Sequence, residues 1–197
     1  MRPMRVLRCA DHASMPWKNG GGTTAEIAIS PPGASLDSFD WRISMAHVAS
    51  EGPFSRFAGI DRTLAIIEGA GLRLSVDGRA VELTIRSSPF AFPGEAETRA
   101  TLLSGAITDL NVMTRRDRYT HRVARLAAPA DWVASSEAAI LVVFCGSGAT
   151  QVRCQEQTVL LNAKDSLLIE APAASLRFDG DAMLLVVEVF ALSSPSP

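Results

Sequence analysis

Leu72-Arg73-Leu74-Ser75-Val76-Asp77-Gly78-Arg79-Ala80-Val81-Glu82-Leu83-Thr84-Ile85 is the stretch that decides the fold class. Two runs, Leu72–Val76 and Val81–Ile85, alternate apolar and polar residues, the two-residue period of a half-buried strand. Between them stands Asp77-Gly78, a dipeptide suited to the left-handed conformations of a tight hairpin turn. Working outward, Thr24–Ser30, Trp41–Val48, Thr63–Glu68 and Leu110–Thr114 are also short runs rich in Ile, Val, Leu and Thr. Gly, Pro, Asp and Ser clusters separate them at intervals of about 8–12 residues, the pattern of an all-β sandwich or barrel. No long stretch carries a 3.6-residue period; Pro129–Glu137 is expected to form one or two helical turns at most.

The halves of the chain repeat. Leu64-Ala65-Ile66-Ile67-Glu68-Gly69-Ala70-Gly71 parallels Leu141-Val142-Val143-Phe144-Cys145-Gly146-Ser147-Gly148, each an apolar strand closing on Gly-x-Gly. Downstream, Val81–Leu83 parallels Val159–Leu161, Ser88–Phe92 parallels Ser166–Glu170, and Asp109–Met113 parallels Leu185–Val189. The ordered matches, at offsets near 77, favour duplication. They predict two β halves packed as one compact unit, residues 1–120 and 121–197, dividing around the arginine-rich stretch 115–125.

Composition bounds the function. At 197 residues the chain is long enough to bury a core without disulfides. Hydrophobic residues make up 47% and charged residues 20%, which excludes disorder. A net charge of −2 argues against a nucleic-acid surface. The apolar stretch Ala182–Leu192 is short for a membrane helix and holds Glu188. Three cysteines and an N-terminus without an apolar leader core point to a cytoplasmic protein.

Phosphate-loop, His-Glu-x-x-His, Gly-x-Ser-x-Gly and Cys-x-x-Cys motifs are all absent, and His12, His47 and His121 are scattered. No metal and no cofactor is therefore expected. The densest unusual segment is Trp17-Lys18-Asn19-Gly20-Gly21-Gly22-Thr23-Thr24-Ala25-Glu26. Its glycines, Gly21 among them, can form an anion-binding nest of backbone N–H groups. Lys18 adds a charge, and Asn19, Thr23 and Thr24 add directional hydrogen bonds. Lys18 and Lys164 are the only lysines among 19 basic residues. The alternative for this segment is a plain loop before a strand.

Strand parity places Thr24, Glu26 and Ala28 on one face, with Arg42 and Ser44 on one face of the next strand and Asp109, Asn111 and Met113 on one face of a third. Such faces either meet solvent or converge in a barrel mouth, where a few polar groups orient a ligand. A second segment, Phe54-Ser55-Arg56-Phe57, supplies aromatic walls from Phe54 and Phe57 and a donor from Ser55. Asp61 and Arg62 are expected to close a turn or to pair. Arg115, just after the Asn111 strand, is a further anion-binding candidate.

These residues resemble a known family. The runs MPWKNGGGTTAEIA (15–28), WRISMAHV (41–48), GPFSRFAGIDRTLAIIEGAG (52–71) and DLNVMTRR (109–116) are similar to the HutD/Ves family. The resemblance implies a bicupin, with two cupin-like halves in one chain. It also implies a role in histidine utilisation, through binding a pathway intermediate such as N-formylglutamate; other members are described as stress-induced. Metal-binding cupins carry a His-x-His and a Glu before the Gly-x-Gly hairpin and a further His on a later strand. No histidine stands at those places here.

Three functional readings are open. The first is a metal-independent protein that binds a small carboxylate, with Lys18, the glycines and Arg42 on the anion and Asn19, Thr24, Ser44 and Asn111 on its polar groups. The second is a metal-independent hydrolase or isomerase with Glu26 as general base. The third is a structural or interaction module. A homodimer is compatible with the sequence and not specified by it.

Overall fold

The computed structural model describes residues 4–17, 20–172 and 175–193. Its strands are β1 (Met4–Leu7), β2 (Ser14–Pro16), β3 (Gly22–Ser30), β4 (Trp41–Val48), β5 (Gly52–Pro53) and β6 (Ile60–Glu68). Next come β7 (Leu72–Val76), β8 (Arg79–Leu83), β9 (Phe90–Pro93), β10 (Thr98–Leu102), β11 (Ile107–Arg115) and β12 (Tyr119–Ala127). The last are β13 (Ala130–Val133), β14 (Ile140–Cys154), β15 (Gln157–Asn162), β16 (Ser166–Glu170) and β17 (Ser175–Ala191). Among the described residues there is no α-helix, only one 3-10 turn at Cys9–Asp11. Where a helical turn over 129–137 is expected, Ala130–Val133 forms a strand instead: β13 pairs with β17, so tertiary pairing decides that part of the segment.

The chain divides into two compact units. Ala13–Tyr119 forms the first, and Thr120 onward forms the second together with the segment up to His12. The expected division at residue 120 thus differs at the N-terminus. There β1 is drawn into the second unit by antiparallel pairing with β16, from Met4↔Ile169 to Leu7↔Ser166. Asp165 anchors the turn after β1: it accepts from Arg8 Nη1 at 2.7 Å and from the Cys9 N–H at 3.0 Å.

The first unit has a six-stranded sheet ordered β2-β3-β4-β11-β6-β9 and a four-stranded sheet ordered β5-β10-β7-β8. Asp77-Gly78 makes the two-residue turn of the β7–β8 hairpin, both residues in the left-handed region at φ 47° and 79°. The inner side chains of that hairpin, Leu72, Leu74 and Leu83, pack with Ala46, Val48, Leu64, Ile66 and Ile107 of the larger sheet. Each fully buried leucine contributes about 1.5–3 kcal/mol. Gly69-Ala70-Gly71 lets the chain cross from one sheet to the other. A Cβ on Gly71, at φ +113°, would lie 2.2 Å from the Leu83 carbonyl oxygen.

The second unit has one seven-stranded sheet, built on the paired long strands β14 and β17. Here the matching Gly146-Ser147-Gly148 bends β14 without ending it, at a bulge between Cys145 and Ser147. The two arms then cover one apolar core, with Leu141 and Val143 from one arm and Val152 and Cys154 from the other. The repeat is visible in the ladders. Leu64↔Asn111 and Ile66↔Asp109 of the first unit correspond to Leu141↔Glu188 and Val143↔Val186 of the second, at a constant offset of 77.

Candidate functional site

The site is built on the inner face of the six-stranded sheet. Residues directly opposite in a ladder share a face. The register Glu26↔Ser44↔Asn111↔Leu64 therefore lines these four side chains across β3, β4, β11 and β6. Arg42↔Met113↔Arg62↔Phe92 forms the adjacent row, and Ala46↔Asp109 the one beyond Asn111. A bulge between Glu26 and Ala28 breaks the strict alternation of β3. Ala28 consequently opposes Ile43 and leaves the face expected from parity, while Ile29 moves onto it opposite Arg42.

Two hydrogen-bonded groups result. Arg42 donates from Nε to Glu26 Oε2 at 2.9 Å and from Nη1 to Ser44 Oγ at 3.2 Å. Arg62 donates from Nη2 to Asn111 Oδ1 at 2.8 Å and from Nη1 to the Ser55 carbonyl at 3.2 Å. The Asn111 amide in turn donates to Asp109 Oδ1 at 2.8 Å. The rings of Phe54, Phe57 and Phe92 surround the Arg62 guanidinium at 5.2, 5.6 and 5.1 Å. That is cation–π geometry around a residue only 6% exposed. Within this cluster two buried polar atoms are left without a partner: Arg62 Nε and Asp109 Oδ2.

Burial sets the electrostatics. It pushes the Asp109 carboxyl up to about 7, although the Arg62 charge and the Asn111 hydrogen bond pull the other way. Burial also lowers Arg62 to about 10, with Arg42 lowering it further and Asp109 opposing. Arg42 and Arg62 therefore lie within each other's field, an arrangement that favours an arriving anion.

Of the expected site residues, Glu26, Arg42, Ser44, Asn111, Phe54 and Phe57 are placed in or around this cluster. Thr24 is on the same face and accepts from Trp17 Nε1 at 2.8 Å. Thr23 opposes His47 on the other face of the sheet. The glycines close the β2–β3 hairpin: the Trp17 N–H donates to Gly22 O, the Gly20 N–H to Trp17 O, and Gly21 O accepts from Ala49. Gly22 is required by close approach, since a Cβ there would lie 2.3 Å from the His47 carbonyl oxygen. Ser55 is exposed and serves through its carbonyl. Arg115 donates to the Phe39 and Asp37 carbonyls at 3.1 and 3.3 Å, strapping the loop before β4. Lys18 and Asn19 lie outside the described residues.

The HutD family model matches residues 9–186. The chain belongs to the HutD family. An uncharacterised 21.2 kDa protein of the hutC 3′ region of Pseudomonas putida is 42% identical over 123 residues, which are 62% of this chain and 64% of that relative. A conserved protein of unknown function from Pseudomonas aeruginosa PAO1 superposes with TM-score 0.88 at 37% identity, covering 95% of this chain and 99% of that one. HutD from Pseudomonas fluorescens SBW25 superposes with TM-score 0.82 at 31% identity, covering 97% and 100%. The all-β fold is thereby shared with both of these solved structures.

In this HutD-family chain the polar cluster does not fit a metal ion. A divalent cation requires converging neutral or anionic ligands. Here two guanidiniums occupy the face, and both carboxylates hydrogen-bond to cationic or amide donors. Among the described residues no cluster of three or more His, Cys, Asp or Glu side chains is placed to hold a metal. Nor is any helix among them long and apolar enough to cross a membrane.

Arg62 is the main site residue that sequence reasoning misses, and its position corrects the expectation of an Asp61–Arg62 turn or pair. Neighbours in a strand point to opposite faces. Asp61 accepts from Arg116 at 2.7 Å, and Arg62 enters the interior. The signal lies in β6 itself, where Arg62 continues the alternation of Leu64 and Ile66.

Proposed function

We propose that the first unit binds a small carboxylate of the N-formylglutamate type, and that the protein thereby modulates histidine utilisation. The observation that carries this reading is the buried Arg62, boxed by three phenylalanine rings and left with an unpartnered Nε. A buried polar atom without a partner costs about 1–3 kcal/mol, and native folds retain such atoms chiefly where a ligand or water completes them. An anion between Arg62 and Arg42 completes this one and relieves the repulsion of the two cations. The phenylalanine walls exclude water, which strengthens the attraction. The link to histidine utilisation is supported by family membership and by the hutC-region relative. The enzymatic alternative rests on Glu26, whose carboxylate is engaged by Arg42.

Isothermal calorimetry of the full chain against N-formylglutamate, glutamate and urocanate tests the proposal. Saturable heat with N-formylglutamate, lost in Arg62→Met, is expected. Folded protein giving no heat with any of the three would overturn it.

A further inference from the structure

We infer that Asp109 is itself a ligand-contacting residue. As a neutral carboxylic acid it donates a proton from Oδ2 to an oxygen of the bound carboxylate, whose charge Arg62 and Arg42 hold. The inference deepens the carboxylate-binding reading and rests on it.

Asp109 is 1% exposed, in the centre of β11. Its Oδ1 is already committed, since the Asn111 amide donates to it. Asn111 cannot turn its amide elsewhere, because its Oδ1 is held by Arg62. The chain Arg62–Asn111–Asp109 therefore orients Asp109 and leaves Oδ2 as its one unpartnered atom. Charged and polar groups on this face are Arg62 from β6, Arg42 and Ser44 from β4, Glu26 and the Trp17-bonded Thr24 from β3, and Asn111 from β11 itself. The four-stranded sheet contributes apolar Leu72, Leu74, Leu83 and Ala100 to the neighbouring core. Nothing apolar can serve Oδ2, and Glu26 is held by Arg42.

An arriving carboxylate changes the balance. In the free protein the Arg62 charge favours the ionised form of Asp109, against burial. Once a second anion engages Arg62, two carboxylates share one desolvated site, and both cannot stay ionised. Asp109 then takes one proton from solvent, and the O–H of its carboxyl is directed at the ligand oxygen. No covalent bond changes. The net event is uptake of one proton for each ligand bound, whenever Asp109 is ionised beforehand. Its ordinary pKa, shifted by burial to about 7, puts that condition above neutral pH.

The test is calorimetry with N-formylglutamate at pH 8 in two buffers of different ionisation enthalpy, phosphate and Tris. The wild type is expected to take up close to one proton per ligand, and its affinity to fall about tenfold per pH unit above neutrality. Asp109→Asn keeps a donor at that position; its uptake should vanish and its affinity should be flat between pH 7 and 9. Binding by the wild type with no proton uptake overturns this inference and leaves the carboxylate-binding reading standing. Equal uptake in wild type and Asp109→Asn likewise overturns it. No saturable heat with N-formylglutamate, glutamate or urocanate overturns both. Should Asp109→Asn fail to fold, the two-buffer measurement on the wild type decides alone.

Discussion

Both units place an arginine among aromatic rings and aim it at the same position of the repeat, yet one pair is closed and the other open. In the second unit Glu188 stands where the first has Asn111. Its Oε2 accepts from Arg122 Nε at 2.8 Å and from Nη2, and its Oε1 from the Ser135 N–H at 2.7 Å. Arg122 lies 5.8 and 6.0 Å from the rings of Trp132 and Phe190. Its side chain is 56% exposed, so its remaining valence meets water. Arg62 has no such outlet. The two arginines also come from different strands, β12 and β6, so the likeness is convergent within a duplicated frame. At this register the second unit completes its polar group within the fold, whereas around Asn111 the first unit leaves Arg62 Nε and Asp109 Oδ2 over, the atoms on which the proposed binding rests.

Glu188→Ala should have the largest effect on stability. It strands the Ser135 N–H and removes the ion pair from a fully buried position. The stranded N–H costs about 1–3 kcal/mol and the buried space the side chain vacates adds to that, while the exposed Arg122 is left to water. Urea unfolding should show this loss while N-formylglutamate binding is retained. A loss of binding without a loss of stability would reverse the assignment of the two sites.

Arg62→Met should have the opposite profile. Affinity should fall at least about 100-fold, near the 2–5 kcal/mol lost when a buried charged contact is truncated. Stability should change less than in Glu188→Ala, because Asp109 can protonate once its cation is gone and the aromatic cage accepts an apolar side chain. A stability loss matching that of Glu188→Ala would mean that Arg62 is as structural as Arg122.

The pH dependence of stability separates the units further. Burial raises the folded pKa of Asp109 above its unfolded value. Its contribution to stability is therefore fully present below an unfolded pKa near 3.8 and is lost as pH rises through about 7. Asp165 of the second unit is also subject to burial, which alone would raise it. Hydrogen bonds from the Cys9 N–H, Arg8 and the Asn162 N–H outweigh that and hold it low. Its contribution is present above the unfolded pKa and is lost as pH falls through the folded one. Unfolding curves between about pH 4 and 7 should lose part of their slope in Asp109→Asn. Curves between pH 4 and 2 should lose part of theirs in Asp165→Asn. The reverse pattern would exclude both proton assignments.

How much of this is legible in the sequence depends on whether the cause is local. Strands β4 and β7 have the limits that alternation predicts, because each residue's face is fixed by its neighbour's. Parity likewise brings Arg42, Ser44 and Asn111 together with Glu26. It fails past Glu26, where an extra residue bulges out, a feature of pairing that β3 alone does not reveal. Arg62 is hidden when β6 is begun at Thr63, since an Asp-Arg pair after Gly-Ile has the chemistry of a turn. Two rings of the cage, Phe54 and Phe57, lie in the loop just before Arg62, but the third, Phe92, and the burial that displaces the Asp109 pKa come from segments far apart in sequence. Conversely, the three glycines and Arg115 have the composition of an anion site, while hairpin closure and loop strapping account for them.

The smallest effect is expected in the hairpin that decides the fold. Arg73 and Glu82 are opposite one another on the outer face of β7 and β8 and form an ion pair. Their side chains are 58% and 52% exposed. Such pairs contribute about 0–1 kcal/mol, because solvent screens them and two long side chains must be ordered to form them. Arg73→Ala should therefore shift the urea midpoint by no more than about 0.5 kcal/mol equivalent. Leu74→Ala, one residue along and fully buried, should cost about 2–5 kcal/mol. A comparable loss in the two variants would mean that the hairpin is held by its charged face. The alternation of Leu72, Leu74 and Leu83 predicts the reverse, with the inner face fixing the register and the outer one free to vary.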